Sequence, residues 1–198
     1  MTQTSKGPAL GNIHLIHDAR ELWLEKLFDR LNALEIGFVH WAVKSCHKPH
    51  IRNSLVFINH LGNGWLYLLI AIFLLATQGQ ASWRLLTTAC IAVILAQGIY
   101  PVIKNRLGRS RPCDYDPALD LSVKVLDQYS CPSGHVMTAT AVGIPLLIML
   151  PQLMLIIIIG YLLIAWARIS LGHHYPSDVI LGAFLGASIS APVSMVII

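Results

Sequence analysis

Charge is scarce in this sequence, and beyond Asp127 only Arg168 and Asp178 carry a formal charge. Over all 198 residues, 12% are Asp, Glu, Lys or Arg, where a soluble domain carries about 25%. A stretch that long with so little charge excludes a soluble globular surface and reads as membrane-embedded. A hydrophobic content of 55% and a mean hydropathy of +0.62 agree. The four cysteines, Cys46, Cys90, Cys113 and Cys131, form no CxxC pair, which argues against a zinc ribbon or a thioredoxin-type motif. Cys113 and Cys131 flank one hydrophilic loop and are expected to be able to pair as a disulfide if that loop faces an oxidising compartment. The opening residues 1–10 are polar and no apolar core follows them directly, so no signal peptide is expected and the spans themselves direct insertion. Internal repeats and low-complexity segments are absent as well. The net charge of +4 and pI near 9.0 fit anionic headgroups or an anionic substrate, not nucleic acid.

What is present is helical patterning. Residues 1–19 read as a flexible leader, and residues 20–62 as an amphipathic N-terminal region. Within it Leu24, Leu27, Phe28, Leu31, Leu34, Phe38 and Trp41 fall on one stripe, away from Glu21, Glu25, Asp29 and Arg30. That pattern fits a helix lying in the membrane interface, or one packed on the protein's own membrane core. Five apolar segments follow, at 63–78, 86–103, 134–150, 153–170 and 179–198, each near the ~17–25 residues that cross a bilayer. The expected architecture is therefore an all-α polytopic bundle of about five transmembrane helices, with the transmembrane domain at 63–198. Five spans put the loops at 104–133 and 171–178 on one side. Counting positive charge favours a cytoplasmic long loop, through Lys104, Arg106, Arg109, Arg111 and Lys124. Charges kept for chemistry are poor topology markers, and that count is discounted.

Three polar clusters sit at span ends on this side. Lys104 and Arg111-Pro112 follow the second span, and guanidinium forks match phosphate oxygens well. By themselves they read more readily as interfacial anchors. Pro132-Ser133-Gly134-His135 opens the third span, with Ser133 a plausible N-cap and free amides turned toward an anion. Arg168 ends an otherwise uncharged span, where an arginine costs on the order of 2.5–3.5 kcal/mol at the bilayer centre and less toward the end. His174 and Asp178 are four apart, so the carboxylate can hold one imidazole nitrogen and leave the other as nucleophile. Pro176 leaves open whether a helix or a turn brings them together.

Together the three clusters resemble the signature of the type-2 phosphatidic acid phosphatase superfamily of membrane lipid phosphatases: K-x6-RP, PSGH and SR-x5-H-x3-D. Lys104 to Pro112 and Pro132 to His135 match in full. Arg168, His174 and Asp178 match in spacing, with Ala167 standing where the family usually has serine. The resemblance covers about residues 60–198. It implies that His174 attacks phosphorus to form a phosphohistidine, that Asp178 orients it, and that His135 protonates the leaving oxygen. It further implies that Lys104, Arg111, Arg168, Ser133 and Gly134 hold the phosphoryl group, with no metal or other cofactor.

The resemblance also implies a bacterial inner-membrane protein whose site faces the periplasm. The expected partners are a lipid phosphate and membrane lipids, and no nucleic acid. Undecaprenyl diphosphate, phosphatidylglycerophosphate, phosphatidic acid and lipid A 1-phosphate all remain open as substrates. The rival readings are a metal hydrolase built on His135, His173, His174 and Asp178, a vanadate-type peroxidase site, and a non-enzymatic lipid-binding or lipid-translocating protein.

Overall fold

The computed structural model describes residues 9–119 and 127–198, with side chains from residue 22 onward. Residues 1–8 of the expected leader, the side chain of Glu21, and Lys124 lie outside the described residues. Between Pro8 and Pro49 there is no proline, and one continuous helix, α1 (Ala9–Ser45), fills this stretch, beginning well before residue 20. Pro49 takes the first-turn position of α2 (Pro49–His60), where its missing N–H is harmless. A π-helical stretch, Leu61–Trp65, bends at Gly64 (φ 124°) into α3 (Leu66–Gln78). A turn at Gly79–Ser82 reverses the chain into α4 (Trp83–Leu107), and a single helical turn, α5 (Pro112–Tyr115), follows. The remaining helices are α6 (Gly134–Met149), α7 (Met154–Ser170) and α8 (Pro176–Ile197).

Among the described residues there is no strand. Three helical stretches are long and apolar enough to cross a membrane: Pro49–Tyr115, Pro151–Ser170 and Pro176–Ile197. The first contains both the expected 63–78 and 86–103 segments, now α3 and α4 joined by the Gly79–Ser82 turn. The fourth apolar helix, Gly134–Met149, is shorter. Pro101, Pro145 and Pro192 sit inside α4, α6 and α8, as membrane helices tolerate. Leu69 and Phe73 on α3, Ile94 on α4, Leu155, Ile156 and Leu162 on α7, and Ile180 and Phe184 on α8 are exposed, giving the apolar outer face of a membrane protein.

At the centre α6 packs against α4, α7 and α8. The closest approach is to α8, whose buried face repeats small residues every four positions: Gly182, Gly186, Ser190 and Ser194. A Cβ on Gly182 would lie 2.6 Å from the Ser133 carbonyl oxygen, and one on Gly186 would lie 2.5 Å from the Met137 carbonyl oxygen. Ser190 closes the row by donating to the Ala141 carbonyl at 2.8 Å. Helices in lipid associate through such close contacts, because the hydrophobic effect is already spent on leaving water. On the other flank Ala92 and Ala96 of α4 meet Met137 and Ala141 of α6.

The face of α1 turned to the protein carries Asn32, Val39 and Ala42, which are buried, while Leu34, Phe38 and Trp41 of the apolar stripe are exposed, as on a helix that turns its stripe to a membrane interface. Phe38 and Trp41 stack edge-on against Trp166. Cys113 and Cys131, whose pairing the sequence leaves open, are free thiols. Cys131 is buried, and burial together with the Asp178 carboxylate pushes its thiol pKa up, whereas Cys113 sits on α5 beside Asp114.

Gly186→Ala should push α6 from α8 and destabilise the fold by about 1–3 kcal/mol. Gly160→Ala, where a Cβ would meet nothing within 4 Å, should be tolerated. Thermal unfolding of the two variants in detergent checks the difference.

Candidate active site

All three polar clusters meet at one end of the bundle, and backbone hydrogen bonds hold them there. Ser133 N–H donates to the Asp178 carbonyl at 3.0 Å, and Ser130 N–H donates to the Arg109 carbonyl at 2.8 Å. Arg111 Nη1 donates to the His173 carbonyl at 2.6 Å. The loops after α4, before α6 and between α7 and α8 therefore share one face, as the span count required. Lys104, Arg111, Arg168, Ser133, His174 and Asp178 are all buried.

The α7–α8 connection places His174. Gly172 takes φ 72°, a left-handed conformation that a side chain would strain, and the chain turns so that both His173 and His174 N–H groups return to the Arg168 carbonyl. Pro176 then begins α8, which settles the question it raised: it occupies the first helical turn. His174 Nδ1 lies 2.6 Å from the Ser130 carbonyl oxygen. A carbonyl only accepts, so Nδ1 carries the proton and Nε2 keeps its lone pair. Arg168 Nη2 approaches that lone pair at 3.0 Å. Burial above all, aided by the fields of Arg168 and Arg111 against the pull of Asp178, holds the His174 pKa well below the ordinary imidazole range, so the ring stays neutral.

Asp178 does not hydrogen-bond His174 directly; its Oδ2 stands 3.8 Å from Nδ1. The Ser130 carbonyl takes the position expected for the carboxylate. Asp178 is instead held by Arg109 Nη1 at 2.7 Å, Ser130 Oγ at 2.5 Å and the Tyr175 N–H at 2.9 Å. Ser130 thus touches both residues, its carbonyl on the imidazole and its hydroxyl on the carboxylate.

The cations differ in how they are matched. Lys104 Nζ lies 2.7 Å from Asp127 Oδ1 and also donates to Tyr100 Oη. Arg111 donates to the same Asp127 carboxylate and, through Nε, to the Asp127 carbonyl at 3.0 Å. These two cations hold the Asp127 pKa down to about 2 against its partial burial. Arg168 reaches only Asn59 Oδ1 and His174, and pairs with no carboxylate among the described residues. Its Nε and the Ser133 hydroxyl are buried without a partner there. Ser133 occupies the N-cap position of α6 yet makes no cap hydrogen bond, so its hydroxyl and the guanidinium edge are donors left unused within the described residues.

Gly134 has a packing reason besides amide access: a Cβ there would lie 2.8 Å from the Tyr100 ring. His135 Nε2 meets Asn63 Oδ1 at 2.6 Å. Asn59 and Asn63, four residues apart, so hold Arg168 and His135 side by side. Ala167 is fully buried in an apolar cluster with Cys46, Leu55 and Leu171, which suits alanine there. Among the described residues no three His, Cys, Asp or Glu side chains are grouped to hold a metal ion.

Sequence reasoning missed Arg109, Asn59, Asn63, Ser130 and Asp127 as site residues. Arg109 is the most connected: besides Asp178 it binds Asn32 at 2.9 Å, Ser177 at 2.6 Å and Glu35 at 3.1 Å, and it lies 4.1 Å from the centre of the Tyr175 ring. Two arginines, Arg106 and Arg109, lie between the motif cations Lys104 and Arg111, and that excess of charge was the available signal.

Residues 65–197 match the family model described as PAP2 superfamily. A decaprenylphosphoryl-5-phosphoribose phosphatase of Mycobacterium tuberculosis is 33% identical over 150 residues, covering 70% of this chain and 76% of that protein. An undecaprenyl-diphosphatase of Sulfolobus acidocaldarius is 30% identical over 142 residues, covering 71% and 68%. The crystal structure of a transmembrane PAP2 type phosphatidylglycerolphosphate phosphatase from Bacillus subtilis superposes with a TM-score of 0.69 at 21% identity, over 91% of this chain and 94% of that one.

Arg109→Gln removes a charge-assisted bond to Asp178, a loss of about 1.5–3 kcal/mol. Phosphatase turnover should then drop by roughly 10–100-fold with KM little moved, since Arg109 faces Asp178 and α1. Steady-state kinetics separating kcat from KM checks this.

Proposed function

The chain belongs to the PAP2 superfamily, and on that premise we propose that it hydrolyses a lipid phosphate through a phosphohistidine on His174, without a metal ion. The observation that carries this reading is the state of His174: neutral, its Nδ1 proton fixed on the Ser130 carbonyl, its Nε2 lone pair turned to Arg168, which pairs with no carboxylate among the described residues. A phosphoryl group drawn to Arg168 arrives in front of that lone pair. Nε2 forms the P–N bond as the P–O bond to the leaving group breaks, and His135 gives its proton to the departing oxygen. Water, deprotonated by His135, then cleaves the P–N bond, releasing inorganic phosphate and restoring both imidazoles.

Lys104, Arg111 and Arg168, with the Ser133 hydroxyl and the Gly134 amide, surround the equatorial oxygens and stabilise their charge. These cations do the work that a metal ion does in other phosphatases, which supports a metal-free reaction. Asp178 acts on His174 through Ser130 and through its field. The apolar exterior supports a lipid substrate presented from the bilayer. We place the protein in a bacterial inner membrane with the site facing outward, following the orientation that the family resemblance implies.

Phosphate release from lipid phosphates by purified protein tests the reading. His174→Ala should abolish release while leaving thermal stability near that of the wild type. Acid-labile, alkali-stable label should appear on wild-type protein quenched during turnover, and none on His174→Ala. Activity should survive a strong chelator. Wild-type turnover by His174→Ala would overturn the mechanism.

A further inference from the structure

Beside His135 lies a cavity of about 520 Å³, lined by Asn63, Gln97, Tyr100, Asp127, His135 and Thr138 among others. Its wall carries amides, hydroxyls and a carboxylate, although it opens among apolar spans. Gln97 is the most telling of these. It is an exposed amide on an otherwise apolar turn of α4, and its Nε2 donates to Thr138 Oγ1 at 2.5 Å. A polar side chain at such depth is tolerated where it lines a polar or water-filled cavity, not where it faces hydrocarbon. Tyr67 belongs to the wall of this cavity and also to that of a second one, of about 300 Å³, lined by Ile70, Phe73, Leu74, Val142 and Leu146. A polar chamber next to the acid thus adjoins an apolar one between α3, α6 and α7.

We infer that the polar chamber receives the leaving group, and that this group is the hydroxyl-bearing head of a lipid phosphomonoester, a glycerol or a sugar, whose hydrocarbon continues into the apolar chamber. The inference rests on the phosphatase reading above, because it is His135 as acid that makes this the leaving-group side. Hydrogen-bonding walls favour a head that returns those bonds, and they disfavour a bare hydrocarbon that would leave them unpaired. The charge balance points the same way. Among the described residues, Lys104, Arg111 and Arg168 less the Asp127 carboxylate leave two positive charges, which match a phosphomonoester dianion. A diphosphate would bring its second phosphate into the chamber that Asp127 lines, where like charges repel. With its pKa near 2, Asp127 keeps its charge at any working pH.

The test uses the full chain in detergent with three probes: p-nitrophenyl phosphate, lysophosphatidic acid (a glycerol phosphate with one acyl chain and a free hydroxyl) and farnesyl diphosphate. Wild-type kcat/KM should favour the glycerol phosphate over the diphosphate by at least about 10-fold. Gln97→Leu and Thr138→Val should each lower kcat/KM for the glycerol phosphate, relative to p-nitrophenyl phosphate in the same preparation, by about 5–10-fold. Asp127→Asn should shift the preference toward the diphosphate. Ratios within one preparation cancel the folded fraction, so a poorly folding variant still reports. A wild type that favours the diphosphate, or ratios that none of the variants move, overturns this inference and leaves the phosphatase reading standing. Release from none of the three probes overturns both.

Discussion

Four cations, Lys104, Arg109, Arg111 and Arg168, are buried at one end of an apolar bundle, and matching their charge is the constraint on which the rest of the structure depends. An uncompensated ion there carries a desolvation penalty of several kcal/mol. Arg109 is matched within the protein by Asp178 and Glu35, both on helices. Lys104 and Arg111 share Asp127, which comes from a loop and remains half exposed. Among the described residues Arg168 has only the neutral Asn59 and His174. This uneven matching separates a structural cation from the three that, on the proposed reading, hold the phosphate.

The packing of the helices transmits that arrangement. The carbonyl that Gly182 admits by lacking a Cβ belongs to Ser133, and the Ser133 N–H in turn binds the Asp178 carbonyl. The small-residue face of α8 is therefore also the seat of the α6 N-terminus. Any change that separates these two helices moves the Ser133 hydroxyl and the Gly134 amide away from His174. The first helix contributes in the same way: Asn32 and Glu35 grip Arg109, so a segment outside the apolar bundle helps to fix the carboxylate beside the histidine.

Much of this was legible in the sequence, and what was legible was local. The three motif clusters announce themselves because charge is so rare around them, and the spans that carry them are apolar runs of recognisable length. What escaped was tertiary. Asn59 and Asn63 are unremarkable amides until Arg168 and His135 arrive beside them from other helices. Asp178 does stand 3.8 Å from His174 Nδ1, but spacing cannot show that the Ser130 carbonyl, from a loop 44 residues earlier, takes the direct bond. The stripe on α1 fitted a helix in the membrane interface or one packed on the membrane core, and periodicity alone does not choose between them. In a membrane protein Leu34 and Trp41 gain as much by facing lipid, and the polar Asn32 is drawn inward by Arg109.

The contrast between the two carboxylates completes the physical picture. Asp178 is fully buried and tied by three donors, so losing it would strand Arg109. Asp127 has a side chain 40% exposed and stands against Lys104 and Arg111. On the proposed reading, a phosphate entering the site meets the two positive charges that remain once Asp127 is counted. Binding then draws its favourable energy from the charge that Asp127 does not neutralise, chiefly that on Arg168. Because Arg168 lies against the His174 lone pair, the same unmatched charge that attracts the phosphate also brings it to the nucleophile.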